Sequence, residues 1–286
     1  MPNIHFTKII SNTLIADGVY SIIVESKEIA SAASAGQFLH IKCGHSRLLR
    51  RPISICSISG DTARFVFDVK GEGTRWLSNR KAGQVLDVLG PLGNGFVIES
   101  GVSLESGVSL ESGVSLESGA SLESRASPES GKIIVVGGGI GTPPMLFAAQ
   151  TAKNKANSTV TAILGFRDKS KVILIDEFSA VCDNVILTTD DGSTGVLGFV
   201  TEPLKKLLAN ERFDTVLSCG AYEMQKAVAK VCKNFDVPCQ VSLEERMACG
   251  VGACLVCVCS IFGNGSEEMS RVCADGPVYN AETVNW

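Results

Sequence analysis

Gly131-Lys-Ile-Ile-Val-Val-Gly137-Gly-Gly-Ile-Gly141-Thr-Pro-Pro144-Met-Leu-Phe-Ala-Ala-Gln150 is the stretch on which the reading of this chain turns. Residues 133–136 are apolar and β-branched throughout, the pattern of a strand buried on both faces of a parallel sheet. Gly137, Gly138, Gly139 and Gly141 then make a turn whose backbone N–H groups can approach an anion. Pro143 and Pro144 suit the first turn of the helix that follows. A membrane span needs about 20 mostly apolar residues, and these glycines and prolines break the run, so it reads as strand, turn and helix. Further on, strand-like runs at Thr159–Leu164, Asn184–Thr188 and Thr215–Cys219 alternate with helical stretches at Val200–Ala209 and Glu223–Cys232. That alternation predicts a doubly wound parallel α/β sheet. The G-x-G-x-x-G fingerprint is not met, because Thr142 stands where its third glycine belongs. The turn by itself therefore suits a structural role as well as a diphosphate.

Upstream, residues 5–98 hold six short strand-like runs separated by glycine and polar turns, which predicts a small antiparallel sandwich or barrel. Two motifs in it suit an anionic ligand. Leu49-Arg-Arg51-Pro52-Ile53-Ser54 places an arginine able to make paired contacts with a phosphate beside a proline that belongs at a strand edge. Val69-Lys-Gly-Glu-Gly73-Thr74 offers backbone N–H groups and a hydroxyl. Between the two regions, residues 101–130 repeat GVSLES with variations five times. A period of six puts the leucines on one face of an extended chain, as in a β-helix fragment. The other reading is a flexible acidic insert or linker over 99–130.

Downstream, Arg246-Met-Ala-Cys249-Gly-Val-Gly-Ala-Cys254-Leu-Val-Cys257, followed by Cys273, reads C-x4-C-x2-C…C. The first three cysteines have the spacing of a plant-type 2Fe–2S site. A four-cysteine zinc site is the alternative, although zinc knuckles more often come as two close pairs. Cys259 lies two residues beyond Cys257 in a strand-like run and is expected to be a structural thiol.

Composition bounds the remaining choices. The 286 residues suggest about two domains of about 150 residues each. The chain is 45% hydrophobic and 20% charged, so it can bury a large core. A net charge of −4 argues against a nucleic-acid partner. The first residues lack the charged start and apolar run of a signal peptide, and eleven cysteines suit reduced thiols plus a metal centre better than a disulfide framework. A cytoplasmic protein with no membrane association is expected. The three histidines, His5, His40 and His45, are expected to be structural or surface residues.

The motifs in this order resemble the ferredoxin–NADP reductase superfamily. That resemblance implies FAD on the R-x-x-S strand, with Arg51 on its diphosphate and Ser54 beside its reactive N5. Pro52, Ile53, Val66, Phe67 and Asp68 would line it, and Gly73 and Thr74 would hold phosphate. GGGIGTPP and Ser218-Cys219-Gly220 resemble the nicotinamide domain of the same superfamily, which assigns Gly137, Gly138, Gly139, Gly141, Thr142, Cys219 and Gly220 to NAD. Arg167 and Asp168 would meet the ribose, and the lack of a dense basic cluster there favours NAD over NADP. The stretches Val241-Ser-Leu-Glu-Glu-Arg-Met-Ala-Cys249 to Cys259 and Arg271-Val-Cys-Ala-Asp-Gly-Pro-Val278 resemble the electron-transfer subunits of class 1B dihydroorotate dehydrogenases.

The implied architecture is an α+β multidomain chain. It has an FAD-binding antiparallel β-barrel over 1–98, the insert over 99–130, an NAD-binding α/β domain over 131–238 and a 2Fe–2S domain over 239–286. The resemblance implies Cys249, Cys254, Cys257 and Cys273 as cluster ligands, with Cys273 fourth. It also implies an FMN-containing catalytic subunit as partner, two of each chain together, in pyrimidine synthesis. Other reductase subunits of the superfamily, serving ferredoxin or hydrogenase, and a zinc-stabilised nucleotide-binding protein are the alternatives.

Overall fold

A computed structural model of the chain describes residues 3–44, 48–98, 131–263 and 265–286. The hexad repeat within 99–130 and His45 lie outside the described residues.

Six strands close into a barrel: β1 (Ile4–Ala16), β2 (Val19–Glu25), β3 (Phe38–Ile41), β4 (Arg51–Ser59), β5 (Thr62–Asp68) and β6 (Val85–Leu92). Their order round it is β1-β2-β5-β4-β3-β6, antiparallel throughout. Side chains alternate across each strand. On β5, Ala63, Phe65 and Phe67 point into the barrel core with Leu39 and Ile41 of β3. The alternate positions of β3, Phe38 and His40, point out of the barrel and are buried against something else. Two short helices, α1 (Lys27–Ala32) and α2 (Glu72–Ser78), join the strands.

The predicted doubly wound sheet is present. It contains β7 (Lys132–Gly138), β8 (Thr159–Phe166), β9 (Asn184–Thr189), β10 (Val196–Leu197), β11 (Thr215–Cys219) and β12 (Cys239–Ser242) in parallel. From β7 the chain first builds outward through β8, β9 and β10, then returns to add β11 and β12 on the other side. The order reverses at β7, and a crevice opens at the C-terminal ends of the strands there. Four helices connect them: α3 (Thr142–Ala156), α4 (Ile175–Val181), α5 (Thr201–Asn210) and α6 (Tyr222–Asn234). On α6, Gln225, Val228, Ala229 and Cys232 recur at three- and four-residue spacing and form its buried face.

The last stretch is tied to this sheet. Both β12 and the antiparallel edge strand β15 (Val278–Asn280) belong to it, while β13 (Val258–Gly263) and β14 (Ser266–Arg271) pair only as a hairpin. Residues 239–286 therefore anchor their loop by lending two strands to the central sheet. Phe38 and Leu92 from the barrel pack in one apolar cluster with Cys257, Val272 and Cys273. No helix among the described residues is long and apolar enough to cross a membrane.

Candidate functional site

The flavin-type motifs meet in space. Arg51 opens β4, and its guanidinium lies over Gly73 at the start of α2: a Cβ on Gly73 would sit 2.7 Å from Arg51 Nε. Glycine there leaves the guanidinium room to lie flat on the loop. Thr74 Oγ1 accepts from the N–H groups of Lys70 (3.0 Å) and Gly71 (3.2 Å), which fixes the loop's shape. Pro52 and Ser54 are half-buried on the outer face of β4, while Ile53 turns inward to the core. The expected lining by residues 66–68 divides. Phe67 belongs to the barrel core, 6.4 Å from Phe65 between ring centroids, because β5 alternates. Val66 packs towards α3, and Asp68 opens onto the neighbouring crevice.

That crevice is a cavity of about 510 Å³ lined by Asp68 and Lys70 of the barrel domain and by Gly138, Gly139, Gly141, Arg167, Gly220 and Met224 of the sheet. The four glycines of the turn serve different ends. A Cβ on Gly141 would lie 2.5 Å from the Cys219 carbonyl oxygen, and one on Gly137 would lie 2.9 Å from Thr142 Cα. Those two permit strand, turn and helix to close on one another. Gly139, at a φ of +52°, meets no described atom within 4 Å of a Cβ and faces open space. It is the position where a diphosphate could approach the backbone. Thr142 is fully buried and its Oγ1 has no partner among the described residues. Cys219 is also buried. Burial, then the charge of Glu244, pushes its thiol up to about 12, so it is a neutral packing group. Asp168 accepts from Ser170 N–H at 2.8 Å and caps a local turn, whereas Arg167 reaches the cavity.

The cysteine loop is a cradle for anionic sulfur. Cys249 Sγ accepts from the N–H groups of Val251 (3.4 Å) and Ala253 (3.3 Å), Cys273 Sγ from Gly252 N–H (3.1 Å), and Cys257 Sγ from Cys273 N–H (3.4 Å). Gly250 and Gly252 have φ of +74° and +79°, the left-handed region in which glycine is unstrained and which turns these N–H groups inward. Burial acts to raise the Cys249 thiol. The N–H groups of Val251, Cys254 and Ala253 and the Cys254 side chain outweigh it and bring it to about 6. Burial, then the neighbouring Cys257 sulfur, pushes Cys273 up to about 12. Two sulfurs this close cannot both ionise alone, and a bound metal removes that conflict by taking both as thiolates. Among the described residues no three His, Cys, Asp or Glu side chains gather as a single-ion site. A 2Fe–2S cluster asks instead for four thiolates spread over two irons. Cys257 and Cys273 are buried and Cys254 is exposed. Cys259 lies on β13 opposite Ser270, with its thiol beside the Tyr279 hydroxyl.

Sequence reasoning missed one support. Arg271 grips Asp275 in a two-pronged ion pair, with Nε and Nη2 each at 2.8 Å, and donates from Nη1 to the Gly252 carbonyl at 3.3 Å. Arg271 and Gly252 are nineteen residues apart, so no local spacing signals the contact.

Comparisons with known proteins place the chain in a family. The family model for the iron–sulfur cluster binding domain of dihydroorotate dehydrogenase B matches residues 244–285. The chain is 36% identical over 280 residues to the dihydroorotate dehydrogenase B (NAD(+)) electron transfer subunit of Clostridium perfringens, covering 98% of this chain and 97% of the relative. It is 37% identical over 286 residues to the Bacillus pumilus subunit of the same name, again covering 98% and 97%. Among solved structures, one of an NADH-dependent reduced ferredoxin-NADP oxidoreductase superposes with a TM-score of 0.80 at 30% identity, over 99% of this chain and 90% of that one. A ferredoxin NADP+ reductase from Neisseria gonorrhoeae, at 15% identity and a TM-score of 0.61 over 81% of this chain and 91% of that one, shares the fold. The full-length identity and the matched cysteine region together make this chain a member of the dihydroorotate dehydrogenase B (NAD(+)) electron transfer subunit family.

Proposed function

We propose that the chain binds FAD, NAD and a 2Fe–2S cluster and passes electrons from an FMN-containing dihydroorotate dehydrogenase catalytic subunit to NAD+, in pyrimidine synthesis in the cytoplasm. The observation that carries this reading is the position of β4. Its outer face adjoins the cysteine loop through β3, and the next strand, β5, ends at Asp68 on the nicotinamide-type cavity. Ser54 pairs with Phe38, whose buried neighbours include Cys257 and Cys273, so a group held there would meet the cluster side of the barrel. FAD, when bound, supplies the chemistry this position needs, exchanging single electrons with a cluster and a hydride with nicotinamide.

The residues hold and exclude. Arg51 and the Gly73 loop take the FAD phosphates, and Ser54 orients the flavin ring. Gly139 and the N-terminus of α3 take the NAD diphosphate, while Arg167 reaches the ribose. Cys249, Cys254, Cys257 and Cys273 ligate the cluster, and the loop N–H groups offset its negative charge. The catalytic subunit docks over the exposed apolar side chains around Cys254, namely Val251, Leu255, Val256 and Met269, with two chains of each kind in the complex. Loose apolar groups beside an exposed ligand suit a partner that must come close.

Co-expression with the cognate catalytic subunit tests the proposal. The expected complex carries one FAD and two irons per chain and reduces NAD+ with dihydroorotate. Cys273→Ser removes the iron and this activity. A chain that forms no such complex, yet reduces ferredoxin with a nicotinamide, establishes the second reading, favoured by the 30% identical oxidoreductase structure.

A further inference from the structure

His40 is fully buried, and neither ring nitrogen makes a hydrogen bond of good geometry among the described residues, although the backbones of Arg50 and Cys249 lie near enough to act on the ring. It stands on β3 opposite Pro52 of β4, next to the Phe38–Ser54 pair, so its side chain shares the outer face of the barrel with the flavin strand. On its other side lies the cysteine loop. A Cβ at Gly250 would fall 2.5 Å from His40 Nδ1, so the ring rests directly on the Cys249–Gly250 segment. Phe38 stands edge-on to it at 6.5 Å, and Arg50, paired with Asp87 at 2.7 Å, donates to the His40 carbonyl at 3.3 Å. Even in its neutral form an imidazole has one ring N–H to give.

An apolar residue would fill this seam without stranding buried polar atoms. An imidazole placed here is explained by an acceptor on the cysteine loop it rests against. We propose that His40 is a positioning residue for the cluster: its Nδ1–H hydrogen-bonds the Cys249–Gly250 backbone and braces the cysteine loop against the flavin strand. The proposal rests on the cluster reading above. Gly250 is part of the device, since its left-handed φ and its missing side chain let the loop reach the ring.

The test uses the full chain in complex with its catalytic subunit, prepared without oxygen. Its readouts are the rate of iron loss to a chelator and the electron paramagnetic resonance signal and midpoint potential of the reduced cluster. His40→Leu is expected to lose iron about tenfold faster, the size typical of a lost outer-shell partner, and to shift the signal and the potential. Asparagine presents its amide nitrogen where Nδ1 was, and glutamine reaches further, to where Nε2 was. His40→Asn is therefore expected to match the wild type within about twofold, and His40→Gln to behave like His40→Leu. If His40→Leu does not fold, the Asn and Gln pair decides alone. Iron-loaded variants indistinguishable from wild type, or rescue by Gln and not by Asn, overturn the proposal. A wild-type chain that takes up no iron overturns the cluster reading and this proposal with it.

Discussion

Single atoms decide the flavin loop. Two glycines flank Glu72, and they are not equivalent. A Cβ on Gly73 would enter the space of the Arg51 guanidinium, whereas one on Gly71 meets nothing described within 4 Å. Gly73→Ala is expected to displace Arg51 and weaken FAD binding about tenfold, the equivalent of about 1.4 kcal/mol and one charged hydrogen bond. Gly71→Ala should leave it unchanged. The flavin-to-protein absorbance ratio after gel filtration reads the difference, and equal losses would remove the argument. The sequence displayed both glycines and the arginine as motifs, but not that one glycine sits beneath the arginine. That contact joins residues 22 positions apart through the barrel's closure. Phe67 shows the reverse case. Its neighbourhood in sequence suggested a flavin contact, and the two-residue alternation of β5 sends its ring into the core.

At the scale of elements, the sheet is secured where strands begin. Asp183, just before β9, accepts from Val160 N–H at 2.7 Å and from Lys153 Nζ at 3.0 Å, joining the starts of β8 and β9 to α3. Burial acts to raise its carboxyl, but the Val160 N–H and Lys153 outweigh that and hold it below the usual carboxylate value. A carboxylate depressed in the folded state stabilises fully above its unfolded pKa of about 3.9 and less as pH falls through the folded value. Asp183→Asn should therefore cost about 1 kcal/mol at neutral pH and flatten the loss of stability below about pH 4. Urea titrations at pH 7 and pH 3 check both halves. An unchanged acid dependence would assign it to other carboxylates. Most of this sheet was legible, β7 as a continuous β-branched run and α5 and α6 by helical spacing, whereas the short strands β10, β12 and β15 and the helix α4 carry too little pattern to be expected. The hairpin β13–β14 was also less legible, since Glu267, Glu268 and Met269 are exposed and give β14 no inward-facing apolar alternation.

For the whole molecule, ties between the barrel and the rest fix how the sites face one another. Arg64 on β5 pairs with Glu177 of α4 at 2.5 Å. Asn94 donates from Nδ2 to the Asp275 carbonyl at 2.9 Å. Val97 and Gln240 exchange two hydrogen bonds, at 2.9 and 2.8 Å. Gly131 is held separately by Thr159, whose N–H reaches its carbonyl at 2.8 Å. Both ends of the intervening segment are thus anchored to the fold. Deleting residues 101–130 is expected to leave FAD and iron content per chain unchanged, measured by absorbance and metal analysis. Loss of flavin from a soluble deletion variant would give the repeat a part in the site. The Arg64–Glu177 pair is only partly exposed, with Arg64 the more buried member, so Glu177→Gln should cost about 1 kcal/mol, read as a modest fall in melting temperature.

The sequence by itself determined the order of the parts, the strand and helix periods, and the four cysteines, because each is local or is carried by a short motif. The tertiary structure alone decided three things. It put Arg51 on Gly73, braced Gly252 with Arg271, and laid His40 between the flavin strand and the cysteine loop. The last of these joins residues about 210 positions apart. Such contacts arise when a closed barrel packs its outer face against a distant segment. No periodicity records that meeting, because its register is set by packing between elements and not within one.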